Sequence, residues 1–368
     1  MIKTNYKGFT LIELLAVITI LSIILTIVIA SVTSVLSNSK DKLQKTQEKQ
    51  ILKAAEIYNN KEGLSDFDSC VNVETLSEKG YLKENEIQNL KNGDKLDGSV
   101  KIYYNINRYT YEYDDNKCLC KSVSGEINDE IGTKYECEVK SEAMYNFYIL
   151  SKNEDESVNL IMDRNICNDG TISYTSGNNY CRYKWYSSAN NNTYGPTTVM
   201  AELYAGTKDW DNVEDMVMNY TDENNGSAED KGYTSIITTN GVTTITGKPT
   251  TNTTTVGTSS KPLKARLPKQ SEVMGAGCTT SNGSCPTWLM EYMTYYNVSN
   301  DKYSMNNNSE AYQNKISGYW LLSSSPGNIS NGARRVGWGG RVYSSRSTTI
   351  GDFGARPVIT VSKSDLSK

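Results

Sequence analysis

The sequence contains no histidine, and that single absence removes much of enzyme chemistry. Ser-His-Asp and Cys-His nucleophilic sets, His-ligated zinc and the usual general base near neutral pH all need an imidazole. Strong net charge is missing too. Thirty-eight basic against 42 acidic side chains leave a formal −4, so no global field collects nucleic acid and any anion-binding patch is local. Phenylalanine is scarce, at 4, while tyrosine reaches 26. With abundant Asn, Ser and Thr, that balance suits a β-rich, wet, extracytoplasmic surface. No nucleophile stands in a recognisable frame with a base and no acids are paired for catalysis, so neither an enzyme nor a cofactor is expected.

What is present begins with an apolar run. Between Lys7 and Lys40 the only charge is Glu13, and the stretch from Phe9 to Leu36 exceeds the ~20 residues that cross a bilayer as a helix. A secretory signal peptide places its small residue after the apolar core, whereas Gly8 comes before it. Lys3 and Lys7 favour a cytoplasmic amino terminus. Ser37 to Asn60 lacks proline and glycine, and Leu36, Leu43, Ile51, Ala54 and Tyr58 recur at helical spacing. One continuous helix to about Asn60 is expected, roughly 75 Å long at 1.5 Å per residue. Glu13 is the oddity, because a carboxylate in lipid costs several kcal/mol unless it is paired.

The residues "KGFTLIELLAVI" resemble the amino-terminal signature of the type IV pilin family, which includes the pseudopilins of secretion and competence machines. The resemblance implies a leader over residues 1–8, cleavage between Gly8 and Phe9 by a prepilin peptidase, methylation of the Phe9 amine, and a helix over 9–62 retained as anchor and polymer core. In a staggered helical bundle, Glu13 of one subunit would meet the Phe9 amine of its neighbour, offsetting two desolvation costs. Other pilin subunits, the peptidase and the membrane are the implied partners. The subunit would be a single-pass membrane protein before assembly and part of a pilus or cell surface afterwards.

Beyond Gly63 an α+β pattern follows. "VNVETLSEKGYL" resembles the head of Gram-positive pilin-like proteins, with Gly80 placed as a helix C-cap. Strand patterning through "GSVKIYYNINRYTYEYDD", "CLCKSV" and "KYECEVK" predicts a small β-sheet head over 63–140, with a helix-like "SEAMYN" at the boundary. Residues 141–368 are expected to form a large β-rich domain: two strands about "KNEDES", a short helix burying Val199, Leu203 and Trp210, a Thr- and Gly-rich stretch from Thr238 to Ser260 that reads as a surface hairpin or else a flexible insertion, helical turns at "CPTWLMEYM" and three or four final strands. Its scattered order of Gly-Pro-Thr with a later Trp, "ARLP", "GYWLLSS" and "GARPVITV" resembles a secreted Firmicutes domain family of unassigned function. The carboxy-terminal pattern is similar to C-type-lectin-like and formylglycine-enzyme-like folds.

All eight cysteines lie after the apolar run, which points to disulfides formed outside the cytoplasm. Cys167 with Cys181 and Cys278 with Cys285 close turn-rich loops, while Cys118 and Cys120 each reach either Cys70 or Cys137. A thiolate metal site at "CLC" is the weaker alternative. Arg334, Arg335, Arg341 and Arg346 around Trp338 and Tyr343 form a candidate patch for a glycan or DNA, set against a hairpin with cation-π packing. Arg356 is expected in a structural ion pair. Asp209, Asp211, Glu214 and Asp215 offer oxygen ligands for calcium without the EF-hand spacing, and a charged helix face is the simpler reading. The expected function is a pilin-like structural subunit, minor or at the tip, of a Gram-positive filament presenting an adhesion domain. The alternatives are a pseudopilin of a competence or secretion machine and a membrane-anchored surface enzyme.

Overall fold

The computed structural model describes residues 10–62, 66–83, 87, 94–96, 98–106, 108–172, 181–186, 196–216, 219–220, 234–239, 242–247, 253–255, 262–292, 318–324, 332–337, 339–343 and 353–368. Helix α1 spans Leu11–Glu62, 52 residues without a break, or about 78 Å at 1.5 Å per residue. Its apolar side chains from Leu11 to Leu25 stand exposed in the isolated chain. Among the described residues no helix is long and apolar enough to cross a membrane. The side chains at 27 and 29–34, inside the expected span of 9–36, lie outside the described residues.

The chain divides into two compact units, the first comprising Met1–Gly63, Val71–Val100 and Tyr111–Lys117 and the second Leu64–Cys70, Lys101–Thr110 and Cys118–Lys368. In the first, the carboxy-terminal half of α1 buries Ile51, Ala54, Ala55 and Tyr58, whereas Leu36 and Leu43 of the same expected stripe are exposed. Strand β1 (Ser69–Asn72) leads into helix α2 (Val73–Glu78), which lies against α1 and buries Val73 and Leu76. Gly80, at φ +77, ends α2: its N–H donates to the Ser77 carbonyl (2.9 Å) and the Tyr81 N–H to that of Leu76 (2.8 Å). These are the two bonds of a Schellman cap, and only glycine adopts that φ without strain. Tyr81 then meets Tyr58 edge-on at 5.5 Å.

The strands that follow are β2 (Ser99–Asn105), β3 (Arg108–Asp114), β4 (Cys120–Ser122), β5 (Lys134–Lys140), β6 (Ala143–Lys152) and β7 (Ser157–Met162). After helix α3 (Thr197–Thr207) come β8 (Asn219–Tyr220), β9 (Thr234–Thr239), β10 (Val242–Gly247) and β11 (Thr253–Thr255), which pair in the order β11-β10-β9-β8. Helix α4 (Gln270–Gly275) precedes β12 (Gly318–Ser324), β13 (Ala333–Gly337), β14 (Arg341–Tyr343), β15 (Val358–Ser362) and β16 (Leu366–Ser367). Among the described residues the main sheet has nine strands in the order β15-β7-β6-β5-β4-β16-β1-β2-β3.

The expected boundary near 140 falls at the turn between β5 and β6, which pair antiparallel inside the second unit. "SEAMYN" is therefore not helical. Glu142 takes the turn at φ +63, and pairing of Ala143 and Met144 with β5 overrides their helix propensity. Alternate residues of β6 and β7 enter two separate cores: Phe147, Ile149, Val158, Leu160 and Met162 one, Tyr148, Leu150 and Ile161 the other. Both faces are covered, so these strands read as continuous apolar runs. Helix α3 brings Val199, Met200 and Leu203 to the first core with Trp210 just beyond it, while Val273 of α4 joins the second. Among the described residues of "CPTWLMEYM" there is one 3-10 turn, Thr287–Met290.

Segment 354–358 ties the scattered motifs together. Its carbonyls accept from the N–H groups of Trp320 (Gly354, 3.1 Å), Ile166 (Ala355, 2.9 Å), Met162 (Pro357, 2.9 Å) and Arg266 (Val358, 3.0 Å). The motifs "GYWLLSS", "ARLP" and "GARPVITV" are thus neighbours because their backbones pair, and the indoles of Trp185 and Trp320 add bonds to the carbonyls of Leu321 and Tyr183.

Candidate functional site

The amino-terminal site is built by the first turn of α1. Thr10 stands at the N-cap, its carbonyl accepting the Leu14 N–H at 3.2 Å. The Glu13 carboxylate accepts from the Thr10 N–H and from the Thr10 hydroxyl, each at 2.9 Å, and the Glu13 N–H donates to the Thr10 hydroxyl oxygen at 3.3 Å. This reciprocal arrangement is a capping box, which satisfies two otherwise unpaired N–H groups and sets a negative charge at the positive end of the helix dipole. Glu13 in a single subunit is therefore already engaged. The T-x-x-E spacing of Thr10 and Glu13 before an apolar run is the sequence sign of this cap. Gly8 and Phe9 lie outside the described residues.

A family model for the prokaryotic N-terminal methylation motif matches residues 3–29. The amino terminus carries a methylation motif. Comparison with curated proteins and with solved structures returned no match. The methylation motif covers Gly8, Phe9, Thr10 and Glu13, and it supports a pilin-like precursor that is processed and then joins other subunits.

The second candidate, the arginine patch, is more enclosed than its sequence suggests. Arg334 and Arg335 on β13 are buried, at 7 % and 6 % exposure. Tyr343 is flanked by two guanidinium groups, Arg335 at 4.3 Å and Arg341 at 4.4 Å from its ring centroid, and Arg335 also lies 4.8 Å from the Phe353 ring. The loop closed by Cys278 and Cys285 packs on the β13–β14 turn, with Gly283 N–H bonded to the Gly339 carbonyl and Arg341 Nη1 to the Thr280 carbonyl at 3.3 Å. Arg334 and Arg335 are thus withdrawn from the surface, while Arg341 and Tyr343 are partly exposed. Trp338 and Arg346 lie outside the described residues.

The cysteines form four disulfides: Cys70–Cys118, Cys120–Cys137, Cys167–Cys181 and Cys278–Cys285. "CLC" therefore serves two bridges, one from each cysteine. Of the acids weighed for calcium, Asp215 pairs with Lys264 Nζ at 2.8 Å, and among the described residues no group of acids and cysteines gathers to hold a metal ion. Arg356, expected to be structural, bonds the carbonyls of Leu289 and Glu291 and stacks on Tyr319 at 4.5 Å.

Proposed function

We propose that the chain is a pilin-like subunit of an envelope filament in a Gram-positive bacterium, with α1 as membrane anchor and then polymer core, and the second unit as an extracytoplasmic binding unit. The observation that carries this reading is the methylation motif over residues 3–29, which runs into the amino-terminal part of α1, a helix of 52 residues. Four disulfides support exposure to an oxidising exterior. The bulk of the second unit supports a minor or tip position, because a large head crowds its neighbours when repeated along a filament. No step assigned to the chain is catalytic.

Assembly would exchange partners at Glu13. The carboxylate leaves the Thr10 cap, or shares it, to meet the methylated Phe9 amine of the next subunit, so two charges in lipid offset each other. Glu13→Val is the test. The variant should stay in the membrane and lose residues 1–8, yet disappear from filaments sheared off the cell surface. Filaments of normal number and composition from that variant would sink the pairing.

A further inference from the structure

A surface loop beside the second core carries side chains separate from both the amino-terminal cap and the arginine patch. It follows the 3-10 turn Thr287–Met290 and reaches Tyr292. Arg356, at 0 % exposure, donates from Nη1 to the Leu289 carbonyl at 3.0 Å and from Nη2 to the Glu291 carbonyl at 2.7 Å. A fully buried guanidinium thus pins the backbone of a surface loop. The next residue, Tyr292, is 39 % exposed and sits at φ +54, a conformation that bulky side chains avoid. Its ring lies 3.8 Å from the guanidinium of Arg164, which is itself held by the fully buried Asp163 carboxylate at 2.8 and 3.1 Å. Backbone clamp and ring stack together hold a strained aromatic at the surface.

The neighbouring groups continue the pattern. Trp288 lies 5.3 Å from the Tyr148 ring at a tilt of 32°, and Gly132 makes room for it: a Cβ there would stand 2.8 Å from the indole nitrogen. Lys134 Nζ is 5.0 Å from the Tyr148 ring centroid and 3.4 Å from the Glu291 carboxylate. Ile131, beside Gly132, is 45 % exposed.

We propose that Trp288, Tyr292, Lys134, Glu291 and Arg164 form a binding site for a neutral glycan. Strained, over-determined residues collect where a ligand is gripped, and here the strain is borne by an exposed aromatic. Aromatic rings offer flat faces to the C–H faces of a sugar, and the ion pairs beside them offer donors and acceptors to its hydroxyls. The charges cancel, since Lys134 and Arg164 are matched by Glu291 and Asp163, so a phosphate backbone gains none of the counterion release that drives nucleic-acid binding. The site deepens the reading of the second unit as a binding unit. Its failure is separable from failure of the filament reading, because amino-terminal processing is read independently.

The test uses the full chain in a detergent without sugar head groups, titrated with cellohexaose, chitohexaose and a dextran oligomer, with polygalacturonate and single-stranded DNA as anionic probes. Saturation-transfer NMR and indole fluorescence report binding. At least one neutral oligosaccharide should bind saturably, and Tyr292→Gly should weaken it by about tenfold or more. Because glycine accepts the φ of Tyr292, the thermal midpoint of that variant should be unchanged or higher. Lys134→Met, which leaves the loop backbone alone, should also weaken binding, and Arg341→Ala should not. The proposal is overturned if no neutral oligosaccharide binds, if only the anionic probes bind, or if binding survives both Tyr292→Gly and Lys134→Met. Self-association of the chain that is lost in Tyr292→Gly, in place of sugar binding, would overturn it as well.

Discussion

Arg266 and Glu272 face each other across a two-bond ion pair in the second unit, with side chains only 5 % and 8 % exposed. Arg266 Nη1 donates to Glu272 Oε2 at 2.7 Å and to the Leu267 carbonyl at 3.1 Å, and the Lys269 N–H adds a bond to the same carboxylate at 2.8 Å. Burial pushes the Glu272 carboxyl up, but the Arg266 charge and these bonds outweigh it and hold the group below the usual carboxylate range. A depressed folded value means stability that is fully present above the unfolded value of about 4.3 and lost as pH falls through the folded one. Chemical denaturation should therefore show a midpoint insensitive to Glu272 above about pH 5 and falling in more acidic buffer. Arg266→Ala should cost about 3–5 kcal/mol by leaving a buried carboxylate unpaired, whereas Arg266→Met with Glu272→Leu should restore much of that loss. Equal destabilisation by the single and the double variant would contradict the assignment.

At the scale of elements, β16 is two residues long yet sits inside the main sheet, parallel to both neighbours. Ser367 lies opposite Cys70 of β1 and Leu366 opposite Cys120 of β4, while the Ser367 hydroxyl donates to the Cys120 carbonyl at 3.0 Å. Cys70 is bridged to Cys118 and Cys120 to Cys137, so the strands on either side of β16 are each fixed covalently. Non-reducing peptide mapping should return these two links together with Cys167–Cys181 and Cys278–Cys285. Replacing Cys120 and Cys137 by serine should cost about 3 kcal/mol in the chain-entropy picture. Free thiols at all four positions around β16 would contradict the arrangement. The short loop closures were legible because both ends of each bridge lie in one turn-rich stretch, and Gly80 was legible because a C-cap is a local requirement. The place of β16 was not. Nothing in "DLSK" signals a sheet interior, and its partners Cys70 and Cys120 stand far away in the chain. The pairing of β5 with β6 across residue 140 was hidden for the same reason, since it is decided by strand register and not by the helix propensity of "SEAMYN".

For the whole molecule, the methylation motif ties function to one end of α1, and the large second unit is the other half of the account. The motif was legible because it is written in contiguous sequence. The binding surface was not, because its residues come from 131–134, 163–164 and 288–292 and meet only through the fold, and of the arginines that stood out in the sequence Arg334 and Arg335 are buried, Arg335 against Tyr343 and Phe353. Everything proposed for assembly depends on Phe9 becoming a free, methylated amino terminus. Mass spectrometry of the protein recovered from membranes measures that directly. An amino-terminal peptide beginning at Phe9 and carrying one added methyl group is the expected result, and an intact chain still beginning at Met1 would contradict the proposed processing.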